Sequence, residues 1–271
     1  TGGFLAYCGA IMAGSLSLDP IALAANGSII IATLAIVYFA YIYLRGNITD
    51  VEKKRLWAAA ILYIFNALFW AGFEQTGSSF NLFAERYTDR TFFDFEVPAS
   101  WLQAVNPIYI ILLAPIFAGL WVRLGAKNLN PSAPLKFGFG LTLLGLGFGV
   151  MAIAAGLVAN GQQVLPTWLL MTYLLHTMGE LCLSPIGLSL TTKLAPKRFT
   201  AQMMGLFFMS SSIGNLFAGL LAGELAGGHG TEASVADMPE MFWMIMGFCL
   251  ACGAFLFAIR KPITRLMGGV K

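Results

Sequence analysis

The sequence predicts an all-α polytopic membrane protein, and two observations carry that prediction. Hydrophobic residues make up 58% of the 271 residues and charged residues only 11%, against about 25% charged residues in an ordinary soluble domain. The apolar residues also lie in long continuous segments, which is typical of transmembrane helices and not of β-barrels, whose strands alternate in polarity. A net charge of +3 is too small to indicate a nucleic-acid partner.

Eight apolar segments follow one another along the chain, and most of them have the roughly 20 residues that a bilayer requires. They cover residues 4–24, 28–45, 56–84, 100–123, 135–159, 165–192, 200–224 and 240–260. Pro20 breaks the first segment near its end. Residues that commonly interrupt helices mark the predicted loops; these are Asn26, Gly27, Asn47, Pro131 and Gly161.

The basic residues indicate how these segments are oriented. When the loop at 46–55 is placed in the cytoplasm, all of the 16 Lys and Arg residues except Arg86 and Arg90 fall on the cytoplasmic side. The opposite loops carry most of the acidic residues. This distribution follows the positive-inside rule, so the sequence predicts a cytoplasmic C-terminus and supports the number of spans.

Glu180 is predicted to lie near the middle of its span. It is about 20 Å along the helix from either end, which Pro166 and Lys193 mark. An ionised group at that depth costs at least about 2.5 kcal/mol, and a glutamate is too short to reach the interface. We therefore predict that Glu180 faces a cavity or a partner. The alternative is a buried, hydrogen-bonded or ion-paired side chain with a packing role.

Glu74 is the second carboxylate within a span. It lies about 29 Å along the helix from Arg55, in the outer part of the segment. We predict that it acts at a gate and pairs across a closing pathway. The alternative is a carboxylate at the end of a helix, solvated among the lipid headgroups.

Polar residues recur on the helix faces that carry the two carboxylates. Residues four apart share a face, and two such series are His176, Glu180 and Ser184, and Asn66, Trp70 and Glu74. A third segment carries Asn106 before Pro107, and a proline frees a backbone carbonyl one turn earlier. The polar residues on these three segments therefore predict an interior that the three helices share and that water can reach. His176 fits either a proton relay or a hydrogen bond to a neighbouring helix.

The predicted interior suits a cationic solute. A carboxylate binds an ammonium group through charge-assisted hydrogen bonds, and an asparagine offers a donor and an acceptor to an amide. Apolar walls would come from aromatic side chains, namely Trp70, Phe73, Phe207 and Phe208. No basic residue lies at the same depth, so either the solute has no carboxylate or another part of the protein supplies the cation.

The sequence gives no support to an enzyme. It contains neither H-E-x-x-H nor G-x-S-x-G, the motifs of zinc proteases and serine hydrolases. His176 and Ser184 would lie about 12 Å apart on one helix, too far for a nucleophile and its base. We therefore predict a protein that is not an enzyme and that requires no cofactor and no metal. A purely structural role would not require Glu180 at mid-membrane.

Four blocks of the sequence carry a recognisable pattern in a fixed order. They are FWAGFEQTGSS at 69–79, NPIY at 106–109 with LAP at 113–115, GELCLSPIG at 179–187, and LAPKR at 194–198 with MMGL at 203–206. In this order they resemble the seventh, eighth and tenth helices, and the loop into the eleventh helix, of the proton-dependent oligopeptide transporters, the POT/PTR branch of the major facilitator superfamily.

The resemblance implies a particular fold. The family has two six-helix bundles, in bacteria often with an additional two-helix hairpin between them. Residues 1–46 would then form this transmembrane hairpin and residues 47–271 the C-terminal six-helix transporter bundle. The N-terminal bundle, with the family's E-x-x-E-R motif and its basic pocket residues, would be absent from this chain. Because the chain begins at Thr1 and not at a methionine, we expect a fragment or a processed form.

The resemblance also implies roles for the binding residues. Glu180 would bind the amino terminus of a peptide and alternate with a lysine of the absent bundle, while Asn106 would hold the peptide backbone. The pocket would be lined by Ser184, Trp70 and Phe73. Phe207 stands where the family usually has Trp, which keeps an aromatic wall but removes an indole donor.

The implied function is proton-coupled uptake of di- and tripeptides by alternating access, in the plasma membrane, which in a bacterium is the inner membrane. Glu74 would pair with a basic residue of the absent bundle at the outer gate, and Glu85 is a further gate candidate. The implied partners are small peptides, protons, the lipid bilayer and the N-terminal six-helix bundle. The alternative is a POT-like carrier for another solute, such as nitrate, an amine-bearing drug or another small metabolite.

Overall fold

The computed structural model describes residues 20–225 and 237–270, so most of the predicted first segment, 4–24, lies outside the described residues. The helices are α1 (Pro20–Arg45), α2 (Asp50–Phe73), α3 (Ser79–Tyr87), α4 (Val105–Ala126), α5 (Ala133–Ala159), α6 (Thr167–Leu194), α7 (Thr200–Leu225) and α8 (Met238–Leu266). Short 3₁₀ turns cover Glu74–Gly77, Ala99–Ala104 and Lys197–Phe199. A two-residue antiparallel hairpin pairs β1 (Thr91–Phe92) with β2 (Phe95–Glu96).

Six helical stretches among the described residues are long and apolar enough to cross a membrane. They are Asn26–Arg45, Asp50–Tyr87, Ala99–Ala126, Ala133–Ala159, Lys197–Leu220 and Met238–Leu266. Helix α6 also has the length of a span, 28 residues, but Glu180, His176 and several hydroxyl-bearing residues make it less apolar. The helical membrane architecture predicted from the composition is therefore confirmed.

One predicted loop is wrong and the other three, at Asn47, Pro131 and Gly161, are confirmed. Asn26 and Gly27 lie inside α1, which begins at Pro20 and runs without a break to Arg45. A proline is well accommodated at the start of a helix, where its missing N–H would have no partner in any case. Asn47 and Gly161 lie between helices, as predicted, and adopt positive φ angles of 45° and 80°.

The second span is not one uniform helix. Helix α2 begins with a capping box in which Glu52 N–H donates to Thr49 Oγ1 at 3.3 Å and Thr49 N–H donates to Glu52 Oε2 at 2.8 Å. It ends at Phe73, and the chain continues through the 3₁₀ turn Glu74–Gly77 into α3. The predicted continuous segment 56–84 is therefore interrupted at Glu74, the carboxylate that it contains.

Glycines allow the helices to approach closely. Helix α5 packs against α6 and α8, and α2 packs against α7. On α7, a Cβ atom added to Gly214 would lie 2.4 Å from the carbonyl oxygen of Ala67 and 2.8 Å from Cβ of Trp70. Only a residue without a side chain permits this α2–α7 contact, whereas Gly219 on the same helix has nothing within 4 Å.

We expect Gly214→Ala to destabilise the protein and Gly219→Ala to leave its stability unchanged or raised. Overpacking at a tight contact costs about 1–3 kcal/mol, whereas an alanine in an open helical position is favoured over glycine by roughly 1 kcal/mol. The thermal unfolding midpoint of the full-length protein in detergent measures both effects. Equal midpoints for the two variants would show that the α2–α7 contact can relax.

Candidate functional site

Glu180 is held on α6 by an amide from α4. Asn106 Nδ2 lies 3.4 Å from Glu180 Oε2 and donates to Thr177 Oγ1 at 2.9 Å. Thr177 Oγ1 in turn donates to the carbonyl oxygen of Tyr173 at 2.7 Å. The 3.4 Å contact is long for a hydrogen bond, so Thr177 is the stronger anchor of the amide. The structure thus brings together Glu180 and Asn106, as the sequence predicts.

The carbonyl oxygen of the same amide remains available. Asn106 Oδ1 makes no hydrogen bond to any described residue, and the side chain is only partly buried. A free carbonyl oxygen on the amide that contacts a carboxylate adds a second kind of acceptor to the site. Both kinds of acceptor can receive N–H groups from a solute.

Glu74 belongs to the same part of the bundle as Glu180. The ring of Phe73, the residue before Glu74, has its centroid 6.2 Å from that of His176, which lies one turn before Glu180. Glu74 is the first residue of the 3₁₀ turn, and both carboxylates are partly buried. Neither carboxylate forms an ion pair with any described residue. Glu74 also follows the C-terminal end of α2, where the helix dipole disfavours a negative charge. The interior therefore carries uncompensated negative charge and favours a cation.

The turn at Glu74 is fastened to its surroundings at its other residues. Gln75 Nε2 donates to the carbonyl oxygen of Ala218 on α7 at 3.2 Å, and Thr76 Oγ1 donates to the carbonyl oxygen of Phe73 at 2.7 Å. One turn before Trp70, Asn66 Nδ2 donates to two serine hydroxyls of α7 at 2.8 and 2.9 Å. These bonds hold α2 and the turn against α7.

Trp70 and Phe73 form an aromatic wall beside the carboxylates. Their ring centroids lie 5.2 Å apart at an interplanar angle of 71°. Trp70 Nε1 is buried without a hydrogen-bond partner among the described residues, and so is Ser184 Oγ, one turn after Glu180. Buried polar atoms are almost always paired in folded proteins. These two are therefore donors that a bound solute could satisfy.

Phe207 lies away from this group, in the core. It is 5% exposed, and its ring packs edge-on against Tyr63 with the centroids 5.7 Å apart. Its Cε2 atom lies 2.8 Å from the position of a Cβ at Gly187, and Gly187 is about 10 Å along α6 from Glu180. The structure does not bring Phe207 to the carboxylates, whereas the neighbouring Phe208 is 56% exposed.

Glu85 also lies apart from the two carboxylates. It belongs to α3, beyond the turn, and is exposed. Its backbone carbonyl accepts a hydrogen bond from Arg90 at 3.4 Å, while the guanidinium of Arg90 pairs with Glu96 at 2.7 Å. The predicted gate role of Glu85 stays a prediction.

His176 forms a hydrogen bond to the neighbouring helix α5. Its Nε2 lies 3.1 Å from the carbonyl oxygen of Leu144, and its Nδ1 is buried without a partner. A carbonyl can only accept, so Nε2 carries the proton. The ring of Phe148 has its centroid 5.2 Å away, and a Cβ at Gly147 would lie 2.3 Å from the imidazole. These contacts favour the packing role over a proton relay.

One member of the group was missed at the level of sequence. Thr177 bonds the amide that approaches Glu180, yet a threonine within an apolar helix commonly bonds its own backbone, as this one also does. Its position three residues before Glu180 places it on the same helix face. The three-residue spacing between Thr177 and Glu180 is therefore the feature of the sequence that could have identified Thr177 as part of the site.

The helices of membrane length and the two partly buried carboxylates without a described ion pair indicate a polytopic membrane protein of the solute-transporter class. The PTR2 family, described as the POT family, matches residues 17–244. The chain therefore belongs to the POT family, which consists of transporters and not of enzymes.

Two relatives illustrate the similarity. The chain is 41% identical over 263 residues to the peptide transporter YePEPT of Yersinia enterocolitica subsp. palearctica, covering 96% of this chain and 50% of that protein. It is 32% identical over 249 residues to the di-/tripeptide transporter of Lactococcus lactis subsp. cremoris, covering 90% of this chain and 48% of that protein. The chain thus spans about half the length of these relatives.

The fold is similar to that of solved transporters. A crystal structure of a peptide transporter POT in complex with sulfate aligns with a TM-score of 0.86 and 34% identity, covering 99% of this chain and 52% of that chain. A mutant peptide transporter POT in complex with alafosfalin aligns with a TM-score of 0.83 and 33% identity over the same share of this chain. The helices described above therefore have the arrangement of half a POT transporter.

We expect the hydrogen bond from His176 to Leu144 on α5 to stabilise the fold. His176→Leu removes the donor to Leu144, whereas the Nε2 of His176→Gln can still reach that carbonyl. Losing a buried hydrogen bond and leaving an acceptor short of a partner costs about 1–3 kcal/mol, so the thermal midpoint should fall further for the leucine variant. A glutamine variant that is no more stable than the leucine variant would contradict the assignment.

Proposed function

We propose that this chain supplies the C-terminal half of the binding cavity of a proton-coupled symporter of di- and tripeptides that works by alternating access. The observation that carries the proposal is the presence of two partly buried carboxylates, Glu180 and Glu74, with no basic partner among the described residues. The names of the relatives, a peptide transporter and a di-/tripeptide transporter, support the choice of substrate.

Recognition of a peptide would begin at its amino terminus. The ammonium group binds Glu180 by charge-assisted hydrogen bonds, which are about twice as strong as neutral ones. The adjacent peptide N–H can donate to Asn106 Oδ1, which has no partner among the described residues. Trp70 and Phe73 pack against the apolar part of the solute, and the hydroxyl of Ser184 offers a further polar contact.

The peptide carboxylate requires a cation that this site does not contain. We propose that the N-terminal six-helix bundle supplies it, because a transporter of twice this length has room for a second bundle and the relatives have that length. A basic residue of that bundle would also pair with Glu74 when the outer gate closes, with Glu85 as a second gate residue. Phe207 would act from the core, by supporting Phe208 and the wall.

Proton coupling would follow from competition for Glu180 and Glu74. A buried charge is costly unless it is paired, and a proton or an ammonium group can each neutralise one of these carboxylates. Loading with a proton and loading with a peptide are thereby linked, and the proton gradient can drive uptake.

The proposed setting is the plasma membrane of a bacterium, with the C-terminus in the cytoplasm. The distribution of Lys and Arg supports this orientation. A different amine-bearing solute is the second candidate, because Glu180 recognises an ammonium group whether or not a peptide bond follows. Competition of labelled dialanine uptake by unlabelled amines and by nitrate separates these candidates.

We expect Glu180→Gln in the full-length transporter to reduce pH-gradient-driven accumulation of dialanine in proteoliposomes by at least about tenfold. Glutamine keeps the shape of glutamate but loses the charge, and a hydrogen bond to a charged group contributes roughly 1.5–3 kcal/mol. Glu240→Gln is the matched control, because Glu240 is exposed at the start of α8. Uptake by the Glu180 variant equal to that of the control would overturn the proposal.

We expect Thr177→Val to raise the KM for dialanine about fivefold and Thr177→Ser to leave it nearly unchanged. Valine has the shape of threonine without the hydroxyl that anchors Asn106, and a single such bond contributes about 1 kcal/mol. Initial uptake rates at a series of peptide concentrations give KM and maximal rate separately. An equal increase in KM for both variants would indicate that packing, and not the hydroxyl, positions the amide.

A further inference from the structure

An open cleft of about 590 Å³ lies between the start of α5 and the end of α8. Its lining residues include neither of the two carboxylates. One of its walls is the connection from α4 to α5, residues 128–132, and the opposite wall is the segment 260–265 of α8. Both helices have the length of a membrane span, so the cleft lies where a span meets the membrane surface.

The wall formed by α8 is strongly basic. Arg260, Lys261 and Arg265 line the cleft and are exposed, and no acidic residue lines it. None of the three side chains forms a hydrogen bond or an ion pair with a described residue. Charges of one sign in a concavity reinforce one another's potential and attract anions.

The wall formed by α5 is largely apolar. Leu129 is 65% exposed and Phe139 is 40% exposed, and Leu135 lies between them along the cleft. Further along the same face of α5, at seven-residue spacing from Phe139, Leu146 is 45% exposed and Ile153 is 48% exposed. An apolar surface therefore continues from the cleft along the length of the span. A soluble anion such as free phosphate would leave this surface without a partner.

We propose that the cleft binds one anionic phospholipid. The phosphate and the rest of the negative headgroup bind Arg260, Lys261 and Arg265, and the acyl chains lie along Phe139, Leu146 and Ile153 of α5. The polar side chains of Asn128 and Ser132 can hydrogen-bond the headgroup from the opposite wall. Such a site prefers phosphatidylglycerol to phosphatidylcholine, whose headgroup has no net charge.

Binding of short-chain phosphatidylglycerol to the full-length transporter in detergent tests the proposal, with phosphatidylcholine of the same chain length as reference. Each basic side chain near an anionic lipid contributes about 1 kcal/mol, or roughly a fivefold preference. We therefore expect the triple variant Arg260→Gln, Lys261→Gln, Arg265→Gln to lose at least about tenfold of the preference for phosphatidylglycerol, measured as the ratio of the two Kd values.

The matched control removes two arginines and one lysine outside the cleft, by Arg45→Gln, Lys54→Gln and Arg123→Gln, which are exposed side chains. It should keep the preference within about threefold of the wild type, since the charge lost is equal but lies elsewhere. An equal loss in both variants would overturn the site in favour of a general effect of net charge.

Two measurements on the wild type separate the sources of the anion and need no variant. Glycerol 3-phosphate carries the headgroup phosphate without acyl chains and should compete only weakly; competition as strong as that of the lipid would overturn the phospholipid assignment. Salt screens exposed charges, so the preference should fall in about 0.5 M NaCl. A preference that is absent in the wild type, or unchanged by salt, would refute the proposal.

Discussion

The uncompensated negative charge of Glu180 and Glu74 is the constraint on which the site depends. Each carboxylate is partly buried, and neither forms an ion pair with a described residue. Buried charge is costly unless it is paired, so the arrangement requires a positive partner from elsewhere. A proton, an ammonium group of a solute and a basic residue of a second bundle can each meet this requirement. Competition among these three partners for the same carboxylates is what a coupled transporter needs.

Helix α4 shows how the remainder of the chain accommodates this incomplete site. None of its residues from Val105 to Ala126 is buried, and it packs mainly against α6. The amide of Asn106 is the polar link between the two helices at the level of Glu180. The other faces of α4 are apolar and exposed, as Ile111 at 72% and Val122 at 73% illustrate. A helix of this kind requires lipid or another bundle beside it, which agrees with a chain that spans half the length of its relatives.

Much of this could be predicted from the sequence, because rules of spacing and depth are local. Composition and segment length predicted the helical membrane fold, and the depth of Glu180 together with Pro107 beside Asn106 predicted their meeting. The positions of other side chains depend on tertiary packing, which the spacing of residues along the chain does not predict. Phe207 occupies the core because Gly187 leaves room for its ring, and His176 bonds Leu144 because Gly147 admits the imidazole. An Asn-Gly pair marks a turn in many sequences. In this protein, however, Asn26 and Gly27 lie within α1.

The interruption of the second span coincides with the position of Glu74. Glu74 lies where α2 gives way to a 3₁₀ turn, and turns of this kind have weaker hydrogen-bond geometry than an α-helix. Below the turn, Asn66 and the contact at Gly214 fasten α2 to α7. At the turn, Gln75 makes a single hydrogen bond to Ala218. Beyond the turn, Phe80 and Phe83 of α3 are buried, and the ring of Phe80 packs against Phe148, Tyr173 and Phe242. A change in the charge of Glu74 would therefore act at the one point of this span where two firmly packed helices are joined without a continuous α-helical hydrogen-bond ladder.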